Sequence, residues 1–337
     1  MTPLAESLRD EILRQGPLPF RRFMEAALYH PEHGYYRRAR DPFGKSGDFY
    51  TAEQVQPVFG ILVAKAVHAL WREMGEPADF TVVELGSGRG EMAEAFSAWR
   101  YMPVDLAVGA LPASFRGVLF TNEFFDALPV DVAVFTRGAF RERRVAWRAG
   151  TFRWITGEAA PQPVEDYCRR FFPSPEEGRV YEANLAALGW MERIAAALAA
   201  GFVLTIDYGY TRAEAQRFPQ GTLMSYHRHT ALEDVLAAPG ERDLTAHVNF
   251  TALQEHGAAH RLRTVRFETL ARTLLAAGEA DQFAAALAAA TPAEETRRRL
   301  QLKTLLFGMG ETFRTLVQEK APKLKRPRNP GPRSGTC

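Results

Sequence analysis

The chain has 337 residues, of which 46% are hydrophobic and 24% are charged. These proportions are typical of a globular protein with a sizeable core, and they exclude a fibrous or largely disordered chain. The formal net charge of +2 is too small to favour a nucleic-acid or membrane partner, and no apolar run approaches transmembrane length. We therefore expect neither nucleic-acid binding nor stable insertion into a membrane.

The N-terminal segment and the two cysteines bear on the cellular compartment, and the cysteines and histidines bear on metal binding. Residues 1–16 carry acids within an amphipathic helical pattern, unlike a signal or transit peptide. Cys168 and Cys337 belong to no CxxC or Cys/His cluster, and His30 and His33 lack a third ligand nearby. The sequence thus predicts no disulfide framework and no metal site, and we expect a cytoplasmic protein in a reducing compartment.

The first 75 residues are predicted to form a helical cap. Helices are indicated at 4–15, 20–29 and 55–74. A polar, glycine-rich loop at 44–51 precedes the third helix, and it lacks the GxxxxGK[ST] pattern of a phosphate-binding loop. From its residues alone, a ligand contact and a plain surface loop are both open for this segment.

The stretch TVVELGSGRG at 81–90 predicts a buried strand that ends in a glycine turn, with a helix expected at 91–99. Gly86, Gly88 and Gly90 lack the Cβ atoms that would keep a ligand away from the backbone. Their GxGxG spacing differs from the GxGxxG of dinucleotide-binding folds, so a nucleoside-type ligand is favoured over a pyrophosphate. A tight turn without a ligand is the alternative.

Two further strands place polar residues at the same predicted edge of a sheet. A strand is expected at 104–108, and its Asp105 follows the first glycine of the turn by 19 positions, where an acid often binds ribose hydroxyls. The buried strand at 117–121 runs directly into Asn122, Glu123 and Asp126. These three residues are candidates for ligand contacts or catalysis, although a capped turn packed on two phenylalanines would explain the same pattern.

The remaining predicted elements complete an α/β fold with a mostly parallel sheet. They are antiparallel hairpins at 130–154 with turns at 137–138 and 149–150, helices at 164–172 and 182–200, a buried strand at 201–207, an extended segment at 221–226, a helix capped by Asn249, a strand at 261–267 and Ala-rich helices at 268–303. We divide the chain into the N-terminal cap at 1–75, a sheet domain with insertions at 76–319, and a basic, disordered tail at 320–337.

Several motifs together resemble one family, the MidA-like class I S-adenosylmethionine-dependent methyltransferases, which include a mitochondrial arginine methyltransferase that assists complex I assembly. The matching motifs are HPEHGYY at 30–36, GDFYT at 47–51, ELGSGRG at 84–90, NEFFDALP at 122–129, DYG at 207–209, GTLMSY at 221–226 and DLTAHVNF at 243–250. They span most of the chain in the family's order. The resemblance implies a Rossmann-like fold, S-adenosyl-L-methionine as cofactor and a protein substrate, with a complex I subunit as the analogous target.

The resemblance also implies roles for individual residues at the cofactor. The three glycines of the turn would pack under its methionine and adenosine parts, and Glu84 would hold its amino and carboxylate end. The GDFYT loop would fold over it, with Gly47, Asp48 and Thr51 as contacts. Asn122 and Glu123 would stand at the edge where the methyl group is transferred.

The chemistry of an arginine acceptor fits the predicted acids. A guanidinium has a pKa of about 12.5–13.8 and begins as a cation. Carboxylates such as Glu123 and Asp126 can orient its planar fork through paired hydrogen bonds. Aromatic walls from Tyr36, Phe49 and Phe124 could enclose a cation, although core packing would also explain aromatic side chains at these positions.

Three other functions compete with this hypothesis. A methyltransferase could act on another acceptor, and a nicotinamide-dependent oxidoreductase is disfavoured only by the GxGxG spacing. A cofactor-binding assembly factor or chaperone with weak or no transferase activity is the third. It is motivated by Gln54 and Asn249, which depart from the family's usual residues. The oligomeric state cannot be inferred from these patterns.

Overall fold

The structure is a computed structural model that describes residues 1–37, 56–227 and 230–322. The loop predicted at 44–51, with Gly47, Asp48 and Thr51, lies outside the described residues, as does the tail from 323 onward. The helices are α1 (Pro3–Gln15), α2 (Phe20–Tyr29), α3 (Val58–Glu73), α4 (Gln162–Phe171), α5 (Leu185–Ala197), α6 (Phe250–Ala259), α7 (Leu270–Glu279), α8 (Ala284–Leu287), α9 (Pro292–Thr304) and α10 (Gly310–Thr312).

The strands form three sheets. They are β1 (Leu18–Pro19), β2 (Thr81–Leu85), β3 (Arg100–Val104), β4 (Phe115–Asn122), β5 (Asp131–Thr136), β6 (Ala139–Arg148), β7 (Thr151–Ala159), β8 (Val180–Ala183), β9 (Leu198–Tyr210), β10 (Met224–His227), β11 (Thr230–Leu232), β12 (Asp243–Thr245), β13 (Val248–Asn249), β14 (Arg263–Thr269) and β15 (Phe313–Lys320). Among the described residues, no helix is both long and apolar enough to cross a membrane.

The largest sheet has the spatial order β14-β15-β9-β4-β2-β3, with β13 added to the end of β9. Strands β3, β2, β4 and β9 are parallel, which confirms the prediction of a mostly parallel sheet. Strand β15 is antiparallel to both of its neighbours. This strand was not predicted, and its last residue, Lys320, is the residue at which the tail was expected to begin.

Successive residues of the parallel strands face opposite layers of helices, as the two-residue repeat of a strand requires. Val82 and Phe120 belong to the core cluster that includes α3 and α7. Val83 and Leu119 belong to the cluster on the other face, which includes α5 and α6. With both faces covered, the carboxyl-terminal edge of the sheet remains as the place for a ligand.

The predicted hairpin insertion is confirmed as a five-stranded sheet with β1, β6, β5 and β8 in order and β7 on β6. Its two tight turns, at 137–138 and 149–150, have positive φ angles of 53°, 76°, 49° and 77°. Two consecutive residues with positive φ form the turn whose twist matches that of a hairpin. Helices α1 and α2 pack on this sheet, whereas α3 packs on the large sheet. The division of the chain at residue 75 therefore remains a proposal.

Two local predictions next to the glycine turn are wrong. Residues 91–99 form successive turns instead of a helix, because backbone hydrogen bonds such as Ala93 to Gly90 and Trp99 to Phe96 span three residues and do not repeat. The strand expected at 104–108 lies earlier, at β3. Pro103 made this segment look unlike a strand in the sequence. A proline is nevertheless tolerated in β3, because β3 is an edge strand of the large sheet.

A third boundary also differs from its prediction. The helix expected at 182–200 is divided between β8, α5 and the start of β9. Asn184 ends the strand and caps α5 by accepting a hydrogen bond from the Ala187 N–H at 2.8 Å. An asparagine at this position starts a helix by pairing a backbone donor that the helix itself leaves unpaired.

Asp131 couples pH to the stability of the contact between α2 and the hairpin sheet. It is 7% exposed, and its Oδ1 lies 3.7 Å from the Arg21 Nε on α2. Burial raises the pKa of Asp131 from 3.8 to about 6, with Arg21 opposing the rise and Glu142 adding to it. The folded state binds the Asp131 proton more tightly than the unfolded state does. Protonated Asp131 therefore adds to the free energy of unfolding below pH 4, and this contribution is lost as pH rises through 6.

Asp131→Asn should remove this pH dependence. We expect the difference in unfolding free energy between the variant and the wild type to shift in favour of the variant by on the order of 2 kcal/mol between pH 4 and pH 7. Urea unfolding followed by circular dichroism at both pH values measures this difference. An equal difference at the two pH values would contradict the assignment.

Candidate functional site

A cavity of about 1270 Å³ opens at the carboxyl-terminal edge of the large sheet. It exceeds the roughly 300–1,000 Å³ of a typical small-molecule site, so it has room for a ligand and part of a second molecule. Its lining includes six of the predicted site residues, namely Gly86, Gly88, Asp105, Asn122, Glu123 and Asp126. Of the predicted residues that the structure describes, Glu84 and Gly90 do not line it.

The glycine turn is tied to the end of the neighbouring strand. Gly86 N–H donates to the Val104 carbonyl at 2.9 Å, and Gly88 N–H donates to the Asp105 Oδ2 at 2.8 Å. Gly86 and Gly88 have φ angles of 73° and 51°, in the region that favours glycine. A Cβ on Gly86 would lie 3.0 Å from the Phe124 Cδ2. The turn therefore forms a tightly fitted floor for the cavity.

Asp105 and Glu84 occupy different environments. Asp105 follows β3, where its Oδ1 accepts the Leu106 N–H at 2.6 Å, and its carboxylate keeps acceptor capacity toward the cavity. Glu84 is buried on the face of β2 that also carries Val82, and the Tyr101 hydroxyl donates to its Oε2. Asp105 therefore lines the cavity, whereas Glu84 is buried within β2 and does not line it.

The three predicted catalytic residues lie together at the end of β4. Glu123 has a φ of 50° and lies between the strand and the following turn. The Asn122 Nδ2 donates to the Glu123 Oε1 at 3.2 Å. Asp126 is buried, and the Tyr208 hydroxyl donates to its Oδ2 at 2.5 Å. Burial raises the pKa of Asp126, and the hydrogen bond from Tyr208 opposes the rise.

Asp207, for which no role was predicted, positions this acidic turn. Its Oδ2 accepts the Phe125 N–H at 3.1 Å, and its Oδ1 accepts the Tyr208 N–H at 2.9 Å. Burial raises the pKa of Asp207 well above its usual range, and the charges of Asp126 and Glu123 raise it further. The DYG motif at 207–209 was the available signal, but only the pairing of β9 with β4 shows which turn it holds.

Aromatic and histidine side chains form the wall opposite the sheet edge. Tyr36, which was predicted, lines the cavity and donates from its hydroxyl to the Asp243 Oδ1 at 3.0 Å. Tyr29 stacks on Tyr36 with ring centroids 5.6 Å apart. His247 was not predicted, and burial lowers its pKa to about 4, so that its ring is neutral at pH 7. The predicted Phe124 also lines the cavity, and Phe49 lies outside the described residues.

Asn249 has a structural role in this arrangement. Its Oδ1 accepts the Ala252 N–H at 3.2 Å and caps α6, while its Nδ2 donates to the Phe171 carbonyl at 3.1 Å. It is 5% exposed and was correctly predicted as a cap. Because both ends of its amide are paired within the fold, Asn249 is explained by its structural role and is no evidence for weak or absent transferase activity. Gln54 lies outside the described residues.

The cavity fits a nucleoside ligand that also carries a charged amino-acid part. Asp105 offers oxygens for ribose hydroxyls, and Gly86 lines the cavity with a positive φ and no Cβ beside the Phe124 ring. The Asn122 Oδ1 and the Asp126 Oδ1 are buried without hydrogen-bond partners in the described structure. Since an unpaired buried polar atom is costly, these oxygens are suited to accept hydrogen bonds from a bound molecule.

Comparisons with known proteins agree with this chemistry. Residues 95–268 match the model of a family described as "Putative S-adenosyl-L-methionine-dependent methyltransferase". A crystal structure from Burkholderia thailandensis with bound S-adenosyl-homocysteine superposes with a TM-score of 0.84 and 30% identity, and the match covers 94% of this chain and 92% of that chain. A native crystal structure from the same organism has a TM-score of 0.81 and 31% identity, with 94% and 91% covered.

Curated relatives are also similar along most of the chain. The protein arginine methyltransferase NDUFAF7 homolog, mitochondrial, of Drosophila melanogaster is 30% identical, with 73% of this chain and 68% of that protein covered. The human protein arginine methyltransferase NDUFAF7, mitochondrial, is 26% identical, with 75% and 68% covered. The similarity therefore extends over both the sheet and the cavity.

Proposed function

Since this chain belongs to the family of S-adenosyl-L-methionine-dependent methyltransferases, we propose that it methylates arginine side chains of a protein substrate. The class I methyltransferase fold, the methyltransferase activity and the cofactor are those of the family. The arginine acceptor is supported by the names of the relatives and by the acids of the cavity. A subunit of respiratory complex I is the proposed substrate, which rests on the family resemblance of the sequence motifs.

The observation that carries this proposal is the position of Glu123 and Asp126 at one end of the cavity, beside Tyr208. A guanidinium is planar and carries five N–H donors, so two carboxylates can bind it and direct one nitrogen toward the cofactor. Neighbouring phenol rings favour a cation and limit access of water. An arginine side chain would therefore be held by charge and by shape.

When bound, the cofactor supplies an electrophilic methyl group on a sulfonium. The protein must hold the acceptor nitrogen in line with this group, which accounts for much of the acceleration in such reactions. An arginine that accepts a methyl group must also release one proton. The buried Asp126 Oδ1 is the proposed acceptor of that proton, because burial raises the pKa of Asp126 and the atom has no partner in the described structure.

The proposed cofactor contacts follow the resemblance and the geometry together. Gly86 and Gly88 lie beneath the cofactor and Asp105 binds its ribose. Glu84 acts from below the sheet edge and Gly90 supports the turn. Gly47, Asp48 and Thr51 cover the cofactor. We also propose a cytoplasmic location, which the sparse cysteines support. The two relatives named above are mitochondrial in their own organisms.

Two measurements, made one after the other, test the proposed function. Calorimetry should detect binding of S-adenosyl-L-methionine and no binding of NAD. Incubation with cofactor labelled in its methyl group and with complex I subunits, followed by mass spectrometry, should place the label on an arginine. Label found on another residue type would redirect the acceptor. Cofactor binding with no labelled protein would favour an assembly factor that does not transfer methyl groups.

A further inference from the structure

A cluster of three side chains that can bind a metal ion lies on the outer surface of α5 and α6, the two helices that cover one face of the large sheet. Glu192 belongs to α5, and His256 belongs to α6, with His260 directly after α6. The His256 Nε2 is 3.0 Å from the Glu192 Oε1, and the His260 Nε2 is 3.8 Å from the same oxygen. A ligand atom from each of the three residues lies within 4.8 Å of the other two.

The backbone holds these three side chains close to one another. His256 and His260 are four positions apart, so they project from the same side of the helix end, and their ring centroids are 4.8 Å apart. Gly257 follows His256, and a Cβ on it would be 2.3 Å from the Gln318 Nε2 on β15 and 3.1 Å from the Met191 Cε on α5. The close approach of α5 and α6 at this glycine brings Glu192 to the histidine pair.

The charges around the cluster are compatible with a cation. The His256 ring is partly buried and its Nε2 is 3.0 Å from the Glu192 Oε1, so an imidazole nitrogen and a carboxylate oxygen lie next to each other. A neutral imidazole has the lone pair that a metal ligand requires. Arg170 is an arginine whose charge acts on His256, and its Nε lies 3.6 Å from the Glu255 Oε2. Glu192 therefore provides the negative charge of the cluster.

We propose that Glu192, His256 and His260 form a binding site for a first-row divalent cation of the Zn²⁺ type, separate from the methyl-transfer cavity. Two imidazoles and one carboxylate are a typical donor set for Zn²⁺, which binds such ligands at about 2.0–2.2 Å. Donors of a tetrahedral site are then about 3.3–3.6 Å apart. The two nitrogen–oxygen separations, 3.0 and 3.8 Å, are close to this geometry, and the two histidine ligand atoms, which lie within 4.8 Å of each other, must move closer together. The bound ion would connect α5 to α6.

Titration calorimetry of the full chain with ZnCl₂ at pH 7.5 tests the proposal. Cys337→Ser should be present in every protein, because a thiol at the chain terminus is an alternative ligand, and metal is removed beforehand with a chelator. We expect one Zn²⁺ per chain. His256→Gln with His260→Gln should weaken binding at least 30-fold, and Glu192→Gln should weaken it several-fold.

The chain contains a matched control pair. The rings of His30 and His33 also stack, with centroids 5.3 Å apart, but the His30 Nδ1 accepts two backbone N–H groups. His30→Gln with His33→Gln should leave Zn²⁺ binding unchanged. Circular dichroism of each variant confirms that the helices are intact. Should the double variant at 256 and 260 be unfolded, Glu192→Gln decides the result through the same titration.

The pH dependence distinguishes a metal site from a simple ion pair. Protons compete with Zn²⁺ for imidazole, so the affinity should fall at least tenfold between pH 7.5 and pH 5.5, whereas a Glu192–imidazolium pair forms more completely at the lower pH. Absence of stoichiometric binding at pH 7.5 would show that the cluster is an ion pair only. Binding that persists in the variant at 256 and 260, or that is lost in the control variant, would likewise overturn the proposal.

Discussion

Glu123→Gln will lower the rate of methyl transfer at least 100-fold while leaving the affinity for S-adenosyl-L-methionine within threefold of the wild type. The substitution preserves side-chain volume but removes the charge that is proposed to orient a guanidinium at the end of β4. A 100-fold loss corresponds to about 2.7 kcal/mol of transition-state stabilisation, which is typical of one well-placed charged group. Initial rates with saturating cofactor, together with calorimetry, separate the two effects.

Glu311→Gln is the matched control for this prediction. Glu311 lines the same cavity from the segment that precedes β15, so its substitution removes an equal charge from the cavity at a different position. We expect the rate of methyl transfer by Glu311→Gln to stay within fivefold of the wild-type rate. Equal losses in the two variants would indicate that the cavity acts through its overall field and that Glu123 does not contact the acceptor.

Gly86→Ala will weaken binding of S-adenosyl-L-methionine at least 30-fold. The added methyl group would lie 3.0 Å from the Phe124 Cδ2 and would project at the floor of the cavity. Phe124, which also lines the cavity, must then shift, and the backbone carries additional strain because φ is 73°. Calorimetric titration of the variant with cofactor measures the loss.

Gly90→Ala separates the contribution of the cavity from that of backbone strain. Gly90 has nearly the same φ, 77°, but a Cβ there meets no atom within 4 Å and the residue does not line the cavity. Both variants should lose thermal stability because of the positive φ, and Gly86→Ala should lose more because its Cβ also meets Phe124. Only Gly86→Ala should lose cofactor affinity at least 30-fold. If both lose affinity equally, Gly90 contacts the cofactor directly, as the family resemblance implied.

The buried parallel strands could be predicted because they are nearly continuous apolar runs. Strands β2, β4 and β9 have this property, and the glycine turn and the acids of 122–126 follow two of them directly. Strand β15 is not a continuous apolar run. Its Thr315 and Gln318 are fully buried polar residues, and the Gln318 Nε2 donates to backbone carbonyls near α6. A buried polar side chain satisfied by distant backbone cannot be distinguished from a surface residue in the sequence.

The candidate site was predictable where its residues directly follow a predicted parallel strand or lie close together in sequence. Asn122, Glu123 and Asp126 lie in one turn, so their proximity follows from the chain itself. Asp207 is 82 positions from Phe125, whose N–H it accepts, and His247 reaches the cavity from the segment after β12. Their positions depend on the register between strands, which is determined by packing across the whole sheet.

The position of β15 affects how the protein is made. The strand pairs with β9 from Phe313 opposite Tyr208 to Lys320 opposite Gly201, yet the ribosome synthesises about 100 residues between the end of β9 and the start of β15. At about 5–20 residues per second, the apolar edge of β9 stays exposed on the nascent chain for about 5–20 seconds. An exposed strand edge promotes aggregation, so protection by a chaperone is most valuable in that interval. Residues 309 and 311–314 also line the cavity, so the cavity is complete only after this part of the chain has been synthesised and β15 has paired with β9.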